Sequence, residues 1–249
     1  MLTFLRKIRR SLIDSGAMRK YLLYAFGEIA LVVIGILIAL QINNWNEEKK
    51  TRGQVKELMI ALIDDLAHDT LLIHENRPFI LEQYELNESL RARVAHPSAT
   101  LDTLVQIMRH EFNANWREQI TYNTNTYLSL NQTGLIEFLP DSLKSSINNF
   151  YNKKTNLSAR IQQTTNDYRG KITSYVDTYT FGSTEIHDQG PLIDNLVWEN
   201  IDAAHLAASF QGISNFKRIL FTETKQEMDY SHERSIELMT QLEEYLLEL

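Results

Sequence analysis

Apolar residues crowd one stretch near the start of this chain and then thin into a stripe that recurs at helical spacing for the remaining two hundred positions. From Tyr21 to Ile42 the sequence reads YLLYAFGEIALVVIGILIALQI, and Ile29–Leu40 contains no charged residue. About 20 apolar residues in a helix span the roughly 30 Å hydrocarbon layer of a bilayer, so this segment predicts one transmembrane helix. It passes into Gln41, Asn43, Asn44 and Trp45, an amide-rich exit closed by an amphipathic ring suited to the headgroup level. A cleaved signal peptide has a shorter apolar run and a small-x-small site. This segment is longer and ends Ala39, Leu40, Gln41, which favours an uncleaved signal anchor.

Residues 2–13 form the inner flank, with Leu2, Leu5, Ile8 and Leu12 on one helical face and Arg6, Lys7, Arg9 and Arg10 on the other. That pattern suits a helix lying at the headgroup boundary as well as a simple basic flank. Beyond the span, Asn46–Gln54 is a charged linker with Gly53 as its expected weak point. From Val55 the residues Met59, Leu62, Leu66 and Ile73 follow 4, 3, 4 and 7 spacings, a heptad-like stripe that Asp69 interrupts. Pro78 predicts a stop or kink after Arg77 and a second helix to about Ala95.

Ser98 or Thr100 can cap a third helix carrying Leu101, Leu104, Val105 and Met108. A polar passage, Asn113–Asn125, precedes a short helical piece to Leu139. Pro140 and Asp141 then open a long helix through Leu143, Ile147, Phe150 or Tyr151, Leu157, Ile161, Tyr168, Ile172 and Val176. Thr180–Pro191 reads as a loop, and a last helix is expected over about Ile213–Leu247. No strand alternation is sustained, so the fold class is all-α: one membrane helix over 21–42, a linker over 43–54, and a helical bundle with partly coiled-coil-like helices over 55–249.

Charge sets the orientation. Arg6, Lys7, Arg9, Arg10, Arg19 and Lys20 precede the span against Asp14 alone, whereas the excess acid behind the net charge of −7 lies beyond Ile42. Basic residues beside a span stay cytoplasmic, so the N-terminus is expected inside and the acidic bundle outside the inner membrane. An acidic exported domain lacks the basic face that nucleic-acid binding needs. With no cysteine there are no disulfides, thiolate nucleophiles or cysteine metal sites, and the bundle holds by packing alone.

Lys20–Glu48, KYLLYAFGEIALVVIGILIALQINNWNEE, resembles the N-terminal signature of a large family of bacterial membrane proteins known only as a domain of unknown function. Thr121–Asn152 is similar to that family's second block, in which a Leu-x-x-x-Gly segment ending here at Gly134 precedes the apolar pair Leu135 and Ile136 and a helix ending in Phe150 and Tyr151. The resemblance implies a bacterial inner-membrane protein with one N-terminal span and an exported helical domain. It implies no activity.

Candidate chemistry is sparse. Glu28 lies inside the span, where a carboxylate costs a few kcal/mol unless it meets protein or water. At about 100° per residue it shares a face with Val32, Gly35 and Ala39, small residues that admit a second helix. That face is the candidate association surface, for a second copy or another membrane protein. An acid so placed also suits an ion- or energy-coupled subunit, and a sensor input domain is a further alternative. Asp65-x-x-His68 and Asp229-x-x-His232 loosely match the acid-histidine pairs of di-metal bundles, but Asp64, Asp69, Asp229 and Glu233 around them read as solvated charge. His187-Asp188 has no nucleophile motif beside it. No enzyme, cofactor or metal is expected. The aromatic middle, with Trp116, Tyr122, Tyr127, Phe150, Tyr151, Tyr168, Tyr175 and Tyr179, reads as helix packing with room for a ligand groove.

Overall fold

The computed structural model describes residues 18–116, 120–181 and 190–248, the side chains of 18–21 and 194 excepted. Among the described residues there are six α-helices and no strand: α1 Met18–Ala95, α2 Leu101–Gln106, α3 Asn125–Gln132, α4 Asp141–Val176, α5 Pro191–Glu199 and α6 Ala203–Glu248. The chain divides into two compact units, Met1–Glu57 and Leu58–Leu249. In the first unit, α1 carries the one stretch among the described residues long and apolar enough to cross a membrane, and none of that stretch is buried by protein. Leu31, Ile34, Leu37 and Leu40 are all more than half exposed.

The second unit is built on three helices that share one rhythm. In α1 the positions Met59, Leu62, Leu66, Asp69, Ile73, Asn76, Ile80, Gln83, Asn87 and Leu90 alternate 3 and 4 residues apart, and all but the half-buried Asn76 are buried. The stripe is therefore not interrupted at Asp69 but passes through it. In α4 the same alternation takes in Leu143, Ile147, Phe150, Lys154, Leu157, Ile161, Thr164 and Tyr168. In α6 it takes in Leu206, Phe210, Ile213, Lys217 and Leu220. Spacing of this kind keeps one seam facing a neighbouring helix, and each fully buried leucine or isoleucine contributes ~1.5–3 kcal/mol of apolar transfer. Each of the three seams also carries polar residues, and these define the candidate site.

Several boundaries differ from the sequence expectation. α1 continues through Gly53 and through Pro78. Proline removes the hydrogen bond to the carbonyl four residues back, here that of His74, and both residues sit on the exposed side of the helix where water takes that carbonyl. Seam residues Ile73 and Ile80 on either side are buried against Phe221 and Met228 of α6, which holds the helix together across the defect. Pro78→Ala should accordingly raise stability by about 1–3 kcal/mol in urea titration, since it restores one backbone bond without touching the seam.

The last helix starts at Ala203, ten residues before the expected Ile213, and α5 occupies the stretch immediately after the anticipated loop. Asp202 is the signal that periodicity alone overlooks: its Oδ1 accepts from the Ala204 and His205 amides at 3.0 and 3.1 Å, satisfying donors of the first turn. Three other expected boundaries are found. α1 ends at Ala95, Thr100 caps α2 through reciprocal bonds with Thr103, and α4 opens at Asp141. Gly134 takes the left-handed conformation, φ 71°, between α3 and the 3-10 turn Leu135–Phe138, which explains a glycine at the end of the Leu-x-x-x-Gly segment.

Candidate functional site

The polar positions on the three seams meet. Lys154 of α4 is 5% exposed and Asp69 of α1 only 1%, and Lys154 Nζ donates to Asp69 Oδ2 at 2.7 Å. The ammonium also lies 3.7 Å from the ring centroid of Tyr122 and 5.2 Å from that of Phe150. Asp69 Oδ1 accepts from the Asn123 amide at 3.1 Å, and the Asn123 side chain donates to Asp65. Beside this pair, Glu227 of α6 is 2% exposed and accepts from Tyr122 Oη at 2.9 Å and from Ser231 Oγ at 2.7 Å.

Burial costs several kcal/mol per charge, and only pairing with additional hydrogen bonds recovers it. Desolvation is the largest influence on Lys154, Glu227, Tyr122 and Tyr151. It holds Lys154 below the usual lysine range despite the opposing pull of Asp69, and it raises Glu227 above the usual carboxylate range against the bonds from Ser231 and Tyr122. It likewise pushes the Tyr122 and Tyr151 phenols up. With one lysine among these acids, a raised Glu227 limits the negative charge the cluster must hold.

An open groove of about 860 Å³ adjoins the cluster. One wall is α4, from Tyr151 and Lys154 through Ser158 and Gln162 to Arg169, and the other is formed by Trp116 and Ile120–Thr124. Described residues of the polar passage, Phe112–Trp116 and Ile120–Thr124, have no regular secondary structure and are held by side-chain bonds. Tyr168 Oη donates to the Ala114 carbonyl at 2.8 Å, Lys217 Nζ to the Asn113 carbonyl at 2.5 Å, and Asn123 engages both Asp65 and Asp69 as above.

Lys217, 2% exposed, is a second buried cation. Its polar contacts are the Asn113 carbonyl and Gln83 Oε1, the latter at 3.4 Å, with Phe112 and Phe221 rings within 6 Å. Desolvation pushes its ammonium down to about 8.

The sequence-derived candidates are distributed differently. Glu28, Val32, Gly35, Ala39 and Trp45 are all exposed on α1, and a Cβ added at Gly35 meets nothing within 4 Å. Arg6, Lys7, Arg9, Arg10, His187 and Asp188 lie outside the described residues, as do the side chains of Arg19 and Lys20. The two acid-histidine pairs do not assemble: Asp65 serves Asn123, Asp229 pairs with Arg77 at 2.6 Å, and His68 is exposed. Among the described residues no group of three acids or histidines is placed to hold a metal ion. Asp69, read from the sequence as solvated, is among the most buried side chains, because Lys154 supplies its counter-charge from a helix 85 residues away. Most of the aromatics do pack the core, Tyr168, Tyr175 and Tyr179 among them, while Trp116, Tyr122 and Tyr151 border the groove.

Residues 28–173 match the sequence profile of a single protein family. The chain belongs to a family of unknown function, DUF6090. The DUF6090 match runs from Glu28 through Asp69, Asn123, Tyr151 and Lys154 and ends before Glu227 and Lys217. No curated protein and no solved structure matches the chain.

Proposed function

We propose that this protein is a non-enzymatic scaffold or binding protein of the bacterial envelope, anchored once in the inner membrane with its N-terminus in the cytoplasm and its helical domain in the periplasm, and self-associating through its membrane helix. The observation that carries the reading is the apolar window of α1, which no protein surface covers. A helix of that composition needs lipid or another helix around it. The basic residues flanking its start support the orientation. The open space around Gly35, on the face of Glu28, Val32 and Ala39, supports close approach of a second helix, where the Glu28 carboxyl would find a hydrogen-bonding partner in place of lipid.

The test is cross-linking in native membranes. Wild type should yield a dimer or higher species, and Gly35→Leu should reduce it severalfold by filling the contact. An unchanged monomer in both would remove self-association, and protection of the bundle from protease added to spheroplasts would remove the orientation. Glu28→Gln should retain most of the association, since a neutral amide still hydrogen-bonds across helices. Complete loss of cellular function with association intact would point instead to the ion-coupled reading.

A further inference from the structure

We propose that the groove between α4 and Ile120–Thr124 binds a linear oligosaccharide bearing carboxylates. Length is the first argument. Tyr151 and Arg169 both line the groove and lie 18 positions apart on one straight element, roughly 27 Å at the helical rise. A compact metabolite cannot touch both, whereas a chain of several units can.

Lining chemistry is the second argument. Among the described residues, Thr121, Thr124, Thr155, Ser158, Thr165 and Gln162 line the groove with polar groups, Thr155 and Thr165 donating to the Tyr151 and Ile161 carbonyls and keeping an acceptor oxygen, against the aliphatic side chains of Ile120 and Ala159. An acyl chain or apolar peptide would strip water from those groups without replacing its hydrogen bonds. A sugar strand offers hydroxyls along its edges and C–H faces to the half-buried rings of Trp116 and Tyr122, so both kinds of wall are matched.

Charge is the third. In a chain of net charge −7, no described residue lining the groove is acidic, and the two charged ones are Lys154 and Arg169. Lys154 is matched by Asp69. Arg169 makes no ion pair with any described residue, and its guanidinium lies 5.5 Å from the Trp116 ring centroid, held beside a flat surface on which a sugar ring can stack. An exposed, planar guanidinium can take a carboxylate through two parallel hydrogen bonds. The acid group of the strand is therefore placed at the Arg169 end and its neutral units toward Tyr151.

The test is calorimetric titration of the full chain in a neutral detergent, which reads the bundle whatever its orientation in the cell. Hyaluronan hexasaccharide, which alternates acidic and neutral sugars, is the probe. It should bind saturably and at least tenfold more tightly than hyaluronan disaccharide or maltohexaose. Arg169→Ala should weaken it about tenfold, and Ala159→Trp, which fills the middle of the groove, should abolish binding. Both positions are exposed, and unchanged circular dichroism and melting of the variants exclude misfolding. The proposal is overturned if the hexasaccharide shows no saturable binding at millimolar concentration, if maltohexaose or a hexaglutamate peptide binds equally well, or if both variants bind as wild type does.

Discussion

Lys154→Met should destabilise the helical domain by about 3–5 kcal/mol, and Asp69→Leu by a similar amount, because either change leaves its partner as an uncompensated charge in a dry seam. Lys154 and Asp69 are 6% and 1% exposed at the side chain, so water cannot replace the lost partner. The double variant Asp69→Leu/Lys154→Met should cost less than either single change, about 1–2 kcal/mol, since it removes both charges and leaves chiefly the Asn123 amide without its acceptor. Urea unfolding of the three variants measures this directly. Single changes below about 1 kcal/mol that simply add in the double variant would show that the pair is solvated.

Lys217 should make the same domain more stable as the medium becomes alkaline. Its folded ammonium titrates at about 8, below the ordinary lysine value of 10.5. Between those values the unfolded chain binds more protons than the folded one, so stability rises with pH through this window and is flat below it with respect to this group. The gain from this group between pH 7 and pH 10 is about 2.5 kcal/mol. Above about pH 10 the buried tyrosines oppose it, because their raised pKa values make the folded state the one that retains protons. Lys217→Met should lower the rise between pH 8 and 10 and leave the smaller part that the depressed Lys154 contributes. A wild-type profile that stays flat across that interval, or one equally steep in Lys217→Met, would place the ammonium in contact with water.

Both predictions concern residues that a pattern reading handles badly. Met59, Leu62, Leu66 and Ile73, and likewise Leu143, Ile147, Leu157 and Ile161, are legible because apolar side chains at alternating 3 and 4 spacing have one low-energy destination. Asp69, Lys154 and Lys217 stand at the same phase of the same stripes, yet charge argues for solvent when each helix is considered alone. Pro78 misleads for a related reason: its local penalty is real, and the packing of Ile73 and Ile80 against α6 outweighs it. The groove was legible only as a concentration of aromatics, since its far wall has no periodicity.

What the sequence determined by itself is everything that depends on neighbours along the chain: the apolar run with its basic flank, the helical phase of each long segment, the cap at Thr100 and the helix start at Pro140 and Asp141. Those features need only the composition and spacing of a few consecutive turns. What the tertiary structure alone decided is which polar side chains are buried and against whom. Asp69 meets Lys154 across 85 residues, Tyr122 meets Glu227 across 105, and Lys217 reaches Asn113 across 104. Desolvation and charge pairing act through space, so their sign at a residue is set by partners that no local pattern can reveal.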